Sequence, residues 1–378
     1  MTAVYRGIVG LGDVGAIGAC RSCPIPPGAA LGGHHRAVDG AGALGYSNTT
    51  VRNDPHPVES VLITGGAGFI GSHLAERLLA SGRRVRVLDS LDPYYDVRIK
   101  QQNLAALRTA GGSRFEFAQG DIRDAAVCRE AVRGMDGIVH LAALAGVRAS
   151  IQDPVRYMDV NVTGTQILLQ AIDSRQVPFV FGSSSSVYGG NTKVPFAEAD
   201  PVDRPVSPYA ASKKAGEVQC FTFHHLHGNP VSCMRFFTVY GPRQRPEMAI
   251  HQFTRLIHDG KELPFFGDGS SRRDYTYVDD IVSGLVAALE RARGYAIYNL
   301  GGSATTSLAD LVAMLEELVG KPARKKLLPD QPGDVPITYA DVSLAERELG
   351  YRCTTPARDG LRKFVAWYLA EKAEGRIA

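Results

Sequence analysis

Residues 58–89 read VESVLITGGAGFIGSHLAERLLASGRRVRVLD, and they constrain the chain more than any other stretch. Val61, Leu62 and Ile63 make a short apolar run of the kind that forms a strand buried on both faces. The turn Thr64-Gly65-Gly66-Ala67-Gly68-Phe69-Ile70-Gly71 follows, and residues 73–80 then carry Leu74, Leu78 and Leu79 at helical spacing until Ser81-Gly82 ends the helix. A second strand over 85–88 closes on Asp89. Strand, glycine turn, helix, strand and terminal acid in this order predict one mononucleotide-binding half of a doubly wound parallel (Rossmann) sheet. The glycines let backbone approach a pyrophosphate, and the helix start offers free N–H groups and a positive dipole end. Gly65, Gly68, Phe69, Ile70 and Gly71 are therefore expected at a dinucleotide. Asp89, about twenty residues beyond the turn, is suited to accept from the adenosine ribose hydroxyls. It would repel a 2′-phosphate, so the expected cofactor is NAD rather than NADP.

With 378 residues, 44% hydrophobic, the chain can bury a large core. A net charge of +3 is too small to argue for nucleic acid or an acidic membrane surface. No apolar run reaches the roughly 18 residues of a membrane span. The cysteines at 20, 23, 128, 220, 233 and 353 are scattered, as suits a reducing cytoplasm. Residues 1–56 are rich in Gly, Ala and Pro without sustained periodicity, and are expected to be a poorly ordered extension. Gly10-Leu11-Gly12-Asp13-Val14-Gly15 within them matches a nucleotide turn by letter only, with no amphipathic helix after it. Cys20, Cys23, His34 and His35 lack the common zinc spacing. His224, His225 and His227 complete no ligand set either, and no metal is expected.

From residue 58 strand and helix alternate. A third strand over 115–118 runs into Asp121 and Ile122, suited to an adenine edge. A fourth over 138–141 ends in Ala142-Ala143, small enough for a cofactor to lie across. One helix is expected over 154–173, carrying Asn161. The fifth strand, 179–181, enters the run Ser183-Ser184-Ser185-Ser186. A long helix begins at Ser207-Pro208, where proline suits a first turn, and carries Tyr209 and Lys213; a sixth strand covers 231–236. The pattern then loosens into what is expected to be a smaller lobe. The domains expected are thus the 1–56 extension, a dinucleotide-binding domain over 58–240, and a lobe for substrate over 241–378.

Tyr209 and Lys213, four apart, share one helix face. A free tyrosine, with a pKa near 10, is a poor base at neutral pH. A neighbouring ammonium and a cationic nicotinamide would favour its phenolate. Ser184, at a strand's carboxyl end, can orient the same substrate hydroxyl.

TGGAGFIG, GDI, HLAA, the serine run with VYG, and SPYAASK resemble the extended short-chain dehydrogenase/reductase family over nearly all of 58–375. LDPYYD, AGVRAS, SSSSVYG, RFFTVYGPRQRPEMAI, RRDYTYVDD and QPGDVP resemble, more narrowly, the UDP-glucuronate 4-epimerases. The resemblance implies that Tyr209 is the general base and acid, Lys213 its activator and a ribose ligand, and Ser184 the hydroxyl-orienting partner. Asp121, Ile122, Ala142, Ala143 and Asn161 fall with the NAD contacts, and Arg148 with those to the substrate, while Arg273 and Asp334 would hold the diphosphate and uridine ends. The implied reaction withdraws hydride and proton at carbon 4 of a UDP-sugar, turns the 4-keto sugar over and returns both. For a uronate that intermediate is a β-keto acid. Ser185, Ser186, Thr238 and Arg245 are the groups suited to pin its carboxylate. Relatives that dehydrate or decarboxylate carry an acid just after the position of Ser184, where this chain has neutral serines. The rival readings are a UDP-glucose/galactose 4-epimerase, which needs no carboxylate site, and a non-catalytic NAD-binding protein. Val218, Phe221, Phe223 and Leu226 suggest a helix face in excess of one core, hence a homodimer.

Overall fold

The computed structural model describes residues 58–172, 177–329 and 336–377. The first strand, β1 (Ser60–Thr64), is buried throughout and leads through the glycine turn into α1 (Phe69–Ala80). Next come β2 (Arg84–Asp89), α2 (Val97–Gly111), β3 (Phe115–Gln119), α3 (Ala125–Val132) and β4 (Gly137–His140). Two short helices, α4 (Val147–Gln152) and α5 (Pro154–Met158), precede a π-helical turn over Asp159–Thr163 and α6 (Gly164–Ala171). Then follow β5 (Phe179–Ser184), α7 (Pro208–His227) and β6 (Val231–Phe236).

The expected helix over 154–173 is therefore interrupted. Thr165 Oγ1 takes the Asn161 carbonyl at 2.6 Å, a side-chain bond that competes with the helical ladder. The widened turn aims the Asn161 carboxamide inward, where it bonds Leu144 N (2.8 Å), Leu144 O (2.9 Å) and Ser212 Oγ (2.9 Å). Such single π turns recur at functional sites.

After β6 the chain makes β7 (Thr238–Tyr240), α8 (Ala249–His258), β8 (Glu262–Phe266), β9 (Arg272–Arg273), β10 (Tyr275–Tyr277), α9 (Val278–Glu290) and β11 (Tyr295–Leu300). It ends with β12 (Thr306–Ser307), α10 (Leu308–Val319), β13 (Arg324–Leu328), α11 (Ser343–Leu349) and α12 (Ala357–Ala373). One parallel sheet runs β11-β6-β5-β4-β1-β2-β3. The seventh strand and α9 come from the segment expected to form the lobe. Tyr295, Ala296 and Ile297 are only half-buried because β11 is an edge, which hides it from a reading of burial patterns. The rest of that segment forms two-stranded pairs, β7 with β10, β9 with β12 and β8 with β13.

Alternation along the strands fills two cores. Val61, Ile63, Val87, Val139 and Val180 face α1 and α9, while Leu62, Leu88, Ile138, Phe179 and Phe181 face α3, α6 and α7. Strand order reverses between β1 and β4, so the carboxyl ends open a crevice there. Register keeps the ends level, with Thr64 beside Leu88 and His140, and Ser184 beside Phe236.

Candidate active site

That crevice holds a cavity of about 280 Å³. Its floor is the glycine turn. Gly65 sits at φ +71°, and a Cβ there would lie 2.7 Å from Ala142 N; one on Gly71 would lie 2.4 Å from the Gly65 carbonyl oxygen. Helix α1 has Gly68 at its start and no side-chain cap, so its first N–H groups are left for a ligand. Close-packed glycines beneath an uncapped helix start fit a pyrophosphate.

Gly65, Gly68, Phe69, Ile70 and Gly71 all line the cavity, as do Asp89, Asp121 and Ile122 on one side and Ala142 and Ala143 across from them. Asp89 accepts from Ala67 N (3.1 Å) and Leu91 N (2.9 Å), with Lys100 Nζ 3.6 Å away. Arg123 beside Asp121 holds that carboxyl below the usual range, chiefly through a hydrogen bond at 2.7 Å. The donor set and the cradle fit NAD. Gly71→Ala should weaken NAD binding by about tenfold or more, the cost of forcing a methyl into packed backbone. Calorimetric titration checks this, and unchanged affinity would remove the cradle from the account.

At the far end Ser184, Tyr209, Lys213 and Arg245 converge. Ser207 caps α7 by accepting from Ala210 N (3.1 Å), and Pro208 occupies the first turn, which sets Tyr209 at the helix start over the β5 end. Lys213, one turn on, donates to the Gly182 carbonyl at 2.7 Å. Burial draws its pKa down to about 8. The Tyr209 phenol is held above its ordinary value: burial outweighs the hydrogen bond with Ser184 and the charge of Arg245, and Tyr94 adds to the rise. Burial thus sets the direction of the shift, ahead of the charge nearby. Without a further positive charge Tyr209 stays protonated at neutral pH.

Other expected residues stand apart from the cavity wall. Asn161 is buried, its carboxamide taken up by Leu144 and Ser212. Ser185 and Ser186 begin the turn after β5, and Ser184 Oγ donates to Ser186 Oγ at 3.1 Å. Thr238 opens β7, between the cavity residues Phe237 and Val239. Arg148 stacks on Phe266 at 5.9 Å, and Arg273 on β9 donates to the Arg272 carbonyl. Asp334 and residues 1–57 lie outside the described residues.

Among the lining residues that escaped the sequence reading, three stand out. Tyr94, Tyr95 and Lys100 fold over the Asp89 side, and Arg245 lies 5.7 Å from the Tyr94 ring centroid. LDPYYD was the only trace of the two tyrosines, and none marked Lys100, since their approach depends on the loop after β2, where Leu91 takes φ +55°. Among the described residues, no three His, Cys, Asp or Glu side chains gather as a metal set. None of the described helices is long and apolar enough to cross a membrane.

Comparison with known proteins agrees with this geometry. UDP-glucuronate 4-epimerase 4 of Arabidopsis thaliana is 42% identical over 345 residues, 86% of this chain and 78% of that one. UDP-glucuronate 4-epimerase of Thermodesulfobacterium geofontis is 41% identical over 310 residues, covering 81% and 95%. The crystal structure of the Bacillus cereus UDP-glucuronic acid 4-epimerase, in complex with UDP-glucuronic acid and NAD, superposes with a TM-score of 0.77 at 37% identity, covering 82% of this chain and 99% of that one. Residues 61–301 match the model of the NAD dependent epimerase/dehydratase family, and the chain belongs to that family.

Proposed function

We propose that this chain is an NAD-dependent isomerase that inverts carbon 4 of a UDP-hexuronic acid, interconverting UDP-glucuronate and UDP-galacturonate. The observation that carries this is one cavity shared by the glycine cradle, the Tyr209–Ser184 pair and the guanidinium of Arg245. Relatives named UDP-glucuronate 4-epimerase at 41–42% identity support the substrate.

NAD, when bound, supplies reversible acceptance of a hydride. Tyr209, ionised as the phenolate, takes the proton from the sugar's 4-hydroxyl and, as the phenol, later returns it, while Ser184 orients that hydroxyl. Because burial raises the phenol, proton removal leans on positive charge near it: that of Arg245 and, in this reading, that of Lys213 one turn along α7. The 4-keto sugar turns about its bond to the diphosphate between the two transfers. Ser185, Ser186, Thr238 and Arg245 hold the carboxylate so that its bond to carbon 5 stays near the carbonyl plane, out of line with the π-system, which blocks loss of carbon dioxide. The serine turn offers no acid to drive elimination. Arg148 serves the substrate, and Arg273 and Asp334 its diphosphate and uridine ends.

A consequence follows for pH. The free protein loses the Lys213 charge above about 8, so kcat/KM should fall as pH rises through that value. A profile flat across it would remove Lys213 from proton transfer.

Residues 58–240 form the NAD-binding domain in this reading, and 241–378 mainly the substrate lobe, less the β11 and α9 that return to the sheet. Val155 on α5 is 77% exposed, and Val218 and Phe221 on the adjoining α7 are about half exposed. Such a stripe suits a homodimer built on these helices. The free cysteines 128, 220, 233 and 353 suit a reducing cytoplasm.

Incubating the purified protein with UDP-glucuronate, with no cofactor added, and following the sugar protons by NMR tests the reading. UDP-galacturonate is expected to appear. Conversion of UDP-glucose alone would remove the carboxylate roles, and a pentose nucleotide would contradict the role of the serine turn.

A further inference from the structure

Two residues before Arg245 the backbone leaves its ordinary range. Arg243 has φ +65°, a left-handed conformation that the Cβ of an arginine disfavours. Helix α1 holds it there. The guanidinium donates to Glu76 Oε1 at 3.0 Å and Oε2 at 2.5 Å, to Ser72 Oγ at 3.3 Å and to His73 Nδ1 at 3.4 Å. His73 answers through Nε2, 2.9 Å from the Pro242 carbonyl. A carbonyl only accepts, so Nε2 carries the ring proton and Nδ1 keeps the lone pair that Arg243 requires. The ring is thus neutral, in line with a pKa drawn down to about 4 by burial and by the charge of Arg243.

The following residue is fixed as firmly. Gln244 N donates to Gly241 O (3.1 Å), its side chain to Val239 O (3.0 Å), and its carbonyl accepts from His251 Nδ1 (2.6 Å). Only then does Arg245 project into the cavity, against the Tyr94 ring and with Nε 3.2 Å from Glu247. The point where Arg245 enters is therefore set from α1, the helix that also carries the pyrophosphate cradle. An exposed ion pair alone would do little. Here Glu76 is 35% exposed and Arg243 only 19%, and the bonds reach three residues of one helix turn from a strained position.

We propose that Arg243, His73 and Glu76 are positioning residues that set the preference for a uronate over a neutral sugar, by fixing where Arg245 meets the substrate carboxylate. This rests on the assignment of Arg245 to the carboxylate made above. None of the three touches substrate in this account.

Two variants separate positioning from bulk stability. Arg243→Gly removes the guanidinium and leaves a residue that takes φ +65° freely, so the loop backbone gains an easier conformation while losing its anchor. Glu76→Gln removes the charge from the helix side and leaves the loop sequence intact. Dissociation constants of UDP-glucuronate and UDP-glucose are measured by calorimetry on the NAD-loaded protein, with melting temperatures alongside. In both variants UDP-glucuronate is expected to bind roughly tenfold to a hundredfold more weakly, the scale of an ångström-level misplacement. UDP-glucose binding should change by less than about threefold, so the ratio collapses. Arg243→Lys, which keeps charge without the two-pronged geometry, should restore the ratio only in part. A ratio that survives in both variants, or equal loss for both sugars in step with melting temperature, overturns the proposal. Wild-type protein that does not prefer the uronate overturns the functional reading and this inference together, and that result is read before any variant is made.

Discussion

Tyr209→Phe should lower kcat for epimerisation by about 10²–10⁴-fold, the range contributed by a positioned acid–base group. The substitution removes one oxygen and no packing surface. The phenol is enclosed, hydrogen-bonded by Ser184 and within the field of Arg245, and the ring packs edge-on against Tyr157, with centroids 6.3 Å apart. Phe preserves that ring contact, so NAD and the UDP-sugar should still bind with affinities near those of wild type. Loss of turnover with retained binding, measured by progress curves and calorimetry on the same preparation, is the expected pair of results. A variant that keeps more than about a tenth of wild-type kcat would displace Tyr209 from proton transfer.

Arg235→Leu is expected to destabilise the protein by about 3–5 kcal/mol, because it strands a buried charge. Arg235 and Glu217 are 1% and 0% exposed and share two bonds, at 2.8 Å and 2.9 Å. Glu217 also accepts from Ser183 Oγ at 2.8 Å, and Arg235 donates to the Tyr188 hydroxyl at 3.0 Å. The Tyr188 hydroxyl in turn donates to Asn299 on β11 at 2.7 Å. Together with the bond from Lys213 to Gly182, this network stitches the end of β5 to α7, one turn beyond the catalytic pair. Adding Glu217→Met to Arg235→Leu should recover much of the loss, since it removes the stranded charge and leaves only the Ser183 hydroxyl without its acceptor. Denaturant midpoints of the single and double variants check both statements. Equal losses in the two would mean that packing, not the stranded charge, sets the cost.

How much of this was legible in the sequence depends on how local each signal is. The unit from β1 to Asp89 was legible because buried strands, glycines at close approach and a helix stop are written in adjacent residues. Tyr209 and Lys213 were legible for the same reason, one helical turn apart on α7. Membership of β11 in the sheet was not, because an edge strand with half-buried residues gains its place only from β6. Nor was the break at Asp159–Thr163, where the apolar spacing continues through the turn and only the Thr165 bond to Asn161 widens it. Tyr94 and Lys100 reach the cavity through a loop whose path no short-range pattern dictates. The rise in the Tyr209 pKa was hidden likewise, since residue spacing gives the charges near a group but not how deeply it is buried.

In this mechanism the hydride leaves and returns at carbon 4, and the proton at the oxygen it carries. UDP-glucuronate carrying deuterium at carbon 4, incubated with the purified protein and followed by NMR, tests it most directly. UDP-galacturonate is expected to keep its deuterium at carbon 4, with no reduced cofactor accumulating in solution. Product formed with the deuterium exchanged into water, or reduced cofactor released in step with turnover, would contradict it.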